Sequence, residues 1–456
     1  MIKILLIFSL PIFMFGSTID FETSLNQTLE KNKGLKAKKL ELESSKLDLE
    51  EVKAYNYGSL IFNENISRTN NAGYVFGMKL ASREATFGDF GFSQFDNTNP
   101  NILNVEPEDL NHPDTRVNYE TKLTYKVPIF TGYKLENGKK MAQLQVLAKK
   151  AQYSYDEKAL GLEVLKAYNG AVASKEFIKA TKKAKEATVS FVNFASELYK
   201  EGLVTSIDVK QAQVYDLSIE SKMIEAKNRY ELALSYLKFL TSNDDIEDVE
   251  EFKSINITKK SLSQLQEKVD LNRGDLMMMR YNTDTMKTKI EYENSSSYPT
   301  IGAQAEYGFN DNTFSAGNSH KHDYYMMAVG LSYTLFDGSV SSLKKEKAKV
   351  EYKKTLSYYE YMKDGVKLEV EKNLLTLQSK SKILIQKQKA LSLSNEVLIQ
   401  SSEMYKNHLI NMSNLLMQQA NQQKASAETI MAKYEKSLSA GVLKISLGQS
   451  LKEEGK

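Results

Sequence analysis

Val117-Asn118-Tyr119-Glu120-Thr121-Lys122-Leu123-Thr124-Tyr125-Lys126-Val127-Pro128-Ile129-Phe130-Thr131-Gly132 sets an apolar or aromatic residue at every second position, with a polar one between. Successive side chains of a strand point to opposite faces, so the run reads as a strand with one greasy and one wet face. Beyond Gly132 the period changes. Residues 134–199 read as one continuous helix of 66 residues, a rod of about 100 Å at a rise of ~1.5 Å per residue. The chain contains only 6 prolines in 456 residues, which permits helices of that length.

The same join of strand to rod recurs downstream. Lys126-Val127-Pro128-Ile129-Phe130-Thr131-Gly132 maps onto Ser332-Tyr333-Thr334-Leu335-Phe336-Asp337-Gly338 at an offset of 206. Leu162-Glu163-Val164, Lys166, Tyr199 and Leu203 map onto Leu368-Glu369-Val370, Lys372, Tyr405 and Leu409 at that offset. Asn32-Lys33-Gly34 matches Asn272-Arg273-Gly274 at an offset of 240. A fixed period over this length marks two copies of one design. The expected organisation is a first repeat over residues 18–240, an acidic linker or equatorial segment over 241–260, a second repeat over 261–446 and a tail over 447–456. Each repeat opens with a helical segment, at about residues 20–53 and 261–293.

Each repeat is also expected to hold two strands, at about 60–80 and 117–130 in the first and about 299–310 and 324–336 in the second. Ile301, Ala303, Ala305, Tyr307 and Phe309 alternate with Gly302, Gln304, Glu306, Gly308 and Asn310. Tyr325, Met327, Val329, Leu331, Tyr333 and Leu335 form the next apolar row. The strands have roughly membrane-spanning length. Four strands cannot close a barrel, for which about eight is the natural minimum, so the open edges predict association with further copies. A soluble sandwich would need more strands than the chain offers. The remaining helices carry coiled-coil seams. Val209, Ala212, Asp216, Ile219, Met223, Ala226, Tyr230, Ala233, Leu237 and Leu240 step by threes and fours. Val370, Leu377, Leu384, Leu391, Leu398 and Tyr405 recur every seven residues.

Hydrophobic residues make up 41% and charged residues 26%, which places the chain among folded proteins. A net charge of +3 is too balanced to point to nucleic acid. The lack of cysteine excludes disulfides, thiolate metal sites and an acylated N-terminal cysteine. Met1-Ile2-Lys3, the apolar run to Phe15 and the small pair Gly16-Ser17 have the order of a secretory signal peptide, expected over residues 1–17. The competing account is a buried N-terminal helix.

The rods end in short turns. In Tyr199-Lys200-Glu201-Gly202-Leu203-Val204-Thr205-Ser206-Ile207-Asp208, Gly202 suits a left-handed helix end and Thr205 with Asp208 suits a capping box. The second turn, Tyr405-Lys406-Asn407-His408-Leu409-Ile410-Asn411-Met412-Ser413-Asn414, replaces the glycine with His408, keeps a cap in Asn411 and loses the acid. An ordinary helical hairpin would need no more than this. Leu203, Val204 and Leu409 are nevertheless left where a partner can reach them.

The repeat, the strand ends at Phe130-Thr131-Gly132 and Phe336-Asp337-Gly338, the Gly202–Val209 turn, Asn272-Arg273-Gly274-Asp275-Leu276 and Tyr298-Pro299-Thr300 together resemble the TolC family of outer-membrane efflux proteins. The resemblance covers nearly the whole chain after the signal peptide. It implies a mainly helical protein with a membrane β-barrel: a homotrimer with a 12-stranded barrel and a tunnel of 12 helices reaching into the periplasm. It implies an outer-membrane location in contact with lipid, and docking to a periplasmic membrane-fusion adaptor coupled to an inner-membrane pump of RND or ABC type. Gly202, Leu203 and Thr205 match the family's valine-glycine-leucine-threonine docking tip, with Val204 inserted and Glu201 in place of the valine. Tyr405 and Asp208 match a tyrosine and an aspartate that hold the tip closed. Ile410 replaces the second-tip arginine of that closure. Asn414 and Met417 replace two aspartates that ring the aperture.

No nucleotide loop, metalloprotease helix or nucleophile motif is present, so no enzyme and no cofactor are expected. His320-Lys321-His322 and the methionines Met277-Met278-Met279 and Met326-Met327 can be read as metal ligands. Polar-loop histidines that bind nothing, and methionines in helix seams and barrel walls, are the simpler account. A secreted structural coiled coil explains the heptads but neither the strands nor the repeat. A porin has no use for the rods. The expectation is a passive exit duct of a tripartite efflux or type I secretion system, with heavy-metal export or protein secretion as alternative tasks.

Overall fold

The computed structural model describes residues 17–257, 261–314 and 322–452. The signal peptide before Ser17, residues 258–260 of the linker, and His320 and Lys321 lie outside the described residues, as do the last four residues of the tail. In chain order the first half holds β1 (Ser17–Ile19), α1 (Phe21–Lys31), α2 (Lys33–Ala54), β2 (Ser59–Thr69), α3 (Ala72–Ala81), α4 (Glu108–Asn111), β3 (Arg116–Phe130), α5 (Lys134–Lys200) and α6 (Ser206–Thr241). The rest is β4 (Ile246–Val249), α7 (Leu262–Asn272), α8 (Gly274–Asn294), β5 (Thr300–Asp311), β6 (Asp323–Ser332), α9 (Val340–Lys406) and α10 (Met412–Ser446). The chain forms two compact units: the described residues of Met1–Glu43, Leu147–Tyr281 and Leu356–Lys456 in one, and Ser44–Val146 with Asn282–Thr355 in the other.

The second unit is built on an antiparallel sheet of order β2-β3-β5-β6. Residues directly opposite share a face, so the register can be read row by row. Phe62, Leu123, Tyr307 and Tyr325 form one row, and Leu60, Tyr125, Ala305 and Met327 the next. One residue out of phase, Ile61, Thr124, Glu306 and Met326 line up, as do Asn63, Lys122, Gly308 and Tyr324. The first face is apolar and bare: Met327 is 80% exposed and Val329 72%. The second carries polar links. Asn65 Nδ2 donates to Glu120 Oε2 at 2.8 Å, Lys122 Nζ lies 3.1 Å from Glu120 Oε1, and Tyr324 Oη donates to Glu306 Oε1 at 3.0 Å. Gly308 is needed here, because a Cβ would sit 2.9 Å from Lys122 Cβ and from the Thr121 carbonyl.

Two strand expectations are corrected. The strand expected over 60–80 stops at Thr69, and Ala72–Ala81 is helical. The run Tyr74-Val75-Phe76-Gly77-Met78 has no period of two, and Asn71 caps the helix by accepting from the Tyr74 amide at 3.4 Å. The strand expected over 324–336 ends at Ser332, which pairs with Thr300. Thr300 is the first residue of β5, so Tyr333 to Phe336 have no neighbouring strand to bond.

In the helical unit, each expected opening helix is broken once. Asn32 interrupts the first in an extended conformation, and its side chain caps α2 by accepting from the Leu35 amide at 3.1 Å. Arg273 interrupts the second. It is buried with Asp275 (2.9 Å), Glu369 (2.7 Å) and the Ser446 carbonyl (3.3 Å) around its guanidinium. The expected linker contains a strand: β4 pairs in parallel with β1, Ile19 lying opposite Val249. Beneath that pair, Phe21 packs edge-on against Tyr168 at 5.8 Å, among Leu25, Val164, Leu165, Leu237 and Ile246. Complete burial of each such aliphatic side chain stabilises by roughly 1.5–3 kcal/mol. Every residue of the expected α6 seam is buried or half-buried, as is every residue of the expected α9 heptad. Asp216, the one acid in the α6 seam, is held by Lys185 Nζ at 2.9 Å and Thr188 Oγ1 at 2.8 Å.

Candidate functional site at the hairpin turns

Helices α5 and α6 meet in a turn whose geometry follows from its residues. Gly202 has φ +75°, and open space surrounds the position a Cβ would take. The Leu203 amide donates to the Leu198 carbonyl at 2.9 Å and the Gly202 amide to the Tyr199 carbonyl at 3.0 Å, which satisfies the last carbonyls of α5. Thr205 then caps α6. Its amide donates to Asp208 Oδ2 at 3.0 Å, the reciprocal half of a capping box, and its hydroxyl donates to the same oxygen at 2.7 Å. The second turn repeats the pattern with other residues. His408 takes φ +59° in place of the glycine. Leu409 donates to the Met404 carbonyl at 2.9 Å, and Asn411 accepts from the Asn414 amide at 2.9 Å.

The two turns share one core. Ala195, Leu198, Ala212, Tyr405, Met412, Leu415 and Leu416 are buried together, with Val204 and Ile410 packed against them. Leu203, 55% exposed, and Leu409 stand outside that core. Thr205, Asn414 and Met417 are likewise exposed, and Asp208 is half-buried. The structure therefore separates the singled-out residues into Val204 and Tyr405, which knit the hairpins together, and Leu203, Thr205, Leu409, Asn414 and Met417, which face outward.

Tyr405, a seam position and a candidate closing residue from the sequence, shows a feature that the sequence does not display. Its ring is 3% exposed and meets Phe194 edge-on at 5.9 Å. Its hydroxyl, shut off from solvent, has no hydrogen-bond partner within the chain. Burial, aided by the nearby negative charge of Asp208, pushes the Tyr405 phenol above its ordinary pKa. Asp208 is thus close, but its carboxylate is engaged by Thr205 and the two do not bond. Two further polar atoms nearby are orphaned in the same way: the Tyr215 hydroxyl, on a ring packed against this core, and Oε1 of buried Gln419 in α10. No pattern in the sequence distinguishes these from satisfied seam residues. Elsewhere, His322 Nδ1 lies 2.6 Å from the Ser82 carbonyl, and Met326 and Met327 point to opposite faces of β6. Among the described residues no three of His, Asp and Glu converge in a metal-binding group.

The sequence profile of the outer membrane efflux protein family matches residues 90–243 and 265–449. The outer membrane protein TolC of Escherichia coli (strain K12) is 23% identical over 195 residues, a match spanning 40% of this chain and 39% of that protein. The match therefore reaches about two-fifths of the length of that relative. Among solved structures, the CusC channel superposes with a TM-score of 0.78 at 13% identity, over 95% of this chain and 93% of that one. The CmeC outer membrane channel of Campylobacter jejuni superposes with a TM-score of 0.76 at 15% identity, over 95% and 87%.

Proposed function

This chain belongs to the outer membrane efflux protein family, and from that premise we propose that three copies form a passive exit duct through the outer membrane. One observation carries the reading: a four-stranded sheet with a bare apolar face, a polar face, and unpaired edges at β2 and β6. An apolar face of this kind is stable against lipid and costly in water. Open edges seek partners, and three sheets joined edge to edge give a closed wall of twelve strands with its polar face inward. The second apolar stripe of α6, through Ile207, Val214, Leu217, Ile224 and Phe239, is exposed in one chain and supplies a seam for neighbouring helices.

The duct carries no catalytic residue; its task is to hold a continuous path from periplasm to exterior. Gly202, Leu203, Thr205 and Leu409 form the surface that docks a periplasmic adaptor of an inner-membrane pump, and Val204, packed against the hairpin core, supports that surface from beneath. Tyr405 and Asp208 belong to the closing apparatus, and the uncharged Asn414 and Met417 line the aperture without a carboxylate ring. Mass measurement of detergent-extracted protein tests the assembly. Three chains per particle are expected; monomers that keep their β content would overturn the reading.

A further inference from the structure

A second feature of the helical unit is unrelated to the turns. Residues 252–257, which follow β4, roof a cleft of about 840 Å³ over α9 and α10. That volume lies within the range of small-molecule sites, roughly 300–1,000 Å³. Phe252, Ile255 and Ile257 form one wall, and Leu374, Leu377 and Leu384 of α9 another. Lys382, Lys433 and Lys436 stand among these residues, while no aspartate or glutamate lines the cleft.

The register of the hairpin explains why this is unusual. Lys380 Nζ lies 2.7 Å from Glu435 Oε2, and Lys387 Nζ 2.7 Å from Glu428 Oε2. Both pairs set the same antiparallel alignment of α9 and α10, and that alignment puts Lys382 level with Lys433 along the pair. Lys436 follows Lys433 by three positions, on the same side of α10. Three ammonium groups lining one cleft repel, and here the neighbouring acids are already taken. Glu435 and Glu428 hold Lys380 and Lys387, and Glu22 holds Lys253 at 2.9 Å. Among the described residues Lys382, Lys433 and Lys436 have no ion-pair partner. An apolar trough lined by three lysines and two neutral amides, Asn256 and Gln378, is complementary to a molecule with a greasy tail and an acidic head.

We propose that this cleft binds a single-chain amphipathic carboxylate, the tail against Leu374, Leu377 and Ile255 and the head between Lys382, Lys433 and Lys436. The probe is radiolabelled dodecanoate, measured by equilibrium dialysis against the full-length protein in nanodiscs of neutral lipid, with dodecanol as the uncharged homologue. Saturable binding is expected for dodecanoate and at least tenfold weaker binding for dodecanol. The triple variant Lys382→Gln/Lys433→Gln/Lys436→Gln should weaken dodecanoate by at least tenfold. Leu377→Trp, which fills the floor without touching charge, should do the same. Assembly and bilayer conductance should be unaltered in both, so that failure of the cleft is distinguishable from failure of the duct. Equal binding by wild type and both variants would overturn the proposal. So would the absence of saturable binding to the wild type, as when a neighbouring copy covers the cleft, or binding of a lysophospholipid but not of dodecanoate.

Discussion

Leu331 and Ser332 adjoin on β6, yet the pleat sends them to opposite faces of the sheet. Leu331 lies opposite Ile301 in the apolar face and Ser332 opposite Thr300 in the other. An arginine on the lipid face costs about 2–4 kcal/mol near the middle of the bilayer and about 0–1 kcal/mol near its edges, and Leu331 stands next to the last residue of β6. Leu331→Arg is therefore expected to impair membrane insertion modestly but measurably more than Ser332→Arg, read as the heat-resistant fraction in outer-membrane preparations. Equal tolerance would mean that the two faces are misassigned. Asp248 offers a second residue-level test. Burial alone would raise its pKa, but donors outweigh it: Lys175 Nζ at 2.6 Å, Tyr230 Oη at 2.5 Å and the Val249 backbone hold the carboxylate below its ordinary value. A depressed folded-state pKa contributes stability above the unfolded value of about 3.9, and that contribution is lost as pH falls through the folded value. Asp248→Asn should lower the melting temperature at pH 7, by the equivalent of about 1 kcal/mol for a half-exposed site. The gap to wild type should narrow below about pH 4; a gap independent of pH would show that the charge is not what Asp248 contributes. Nothing around Asp248 in the sequence announces this role, because Lys175 and Tyr230 come from other elements.

At the scale of elements, the turn between α5 and α6 was legible almost atom by atom. Gly202, Thr205 and Asp208 act within a few residues of each other, and local spacing dictates local hydrogen bonds. Gly202→Pro forces φ from +75° to about −65° and removes the amide that bonds Tyr199, so the turn must rearrange. Leu203→Asp leaves the turn intact and changes only an exposed side chain. Both are expected to abolish pump-coupled export while trimer yield stays normal. Normal export from both would remove this turn from the docking surface. The strands were legible only where alternation was clean. The end of β2 was missed because Asn71 starts a helix that period-two reading overlooks, and the end of β6 because a strand lasts only as long as its neighbour.

For the molecule as a whole, the orphaned hydroxyl of Tyr405 is a statement about assembly. A buried unbonded hydroxyl costs roughly 1–3 kcal/mol, a cost that closing hairpins can remove by supplying a partner. Tyr405→Phe and Asp208→Ala are expected to raise the closed-state conductance in planar bilayers. Block by millimolar divalent cations should be weak and should strengthen in Asn414→Asp, since a ring of three carboxylates attracts cations. Unchanged conductance in Tyr405→Phe, or strong block of the unmodified protein, would refute this account of the gate. The sequence by itself determined the two repeats, the alternation of strand and rod, the α6 and α9 seams and the capped turns. Each is a periodicity or a short spacing, and side-chain geometry along one segment converts it directly into structure. Only the tertiary structure decided that β1 joins β4 across more than 200 residues, that Tyr405 is buried without a partner, and that Lys382, Lys433 and Lys436 line one apolar cleft. These depend on which element lies across from which, and that pairing is set by packing between segments distant in the chain, which no local pattern records.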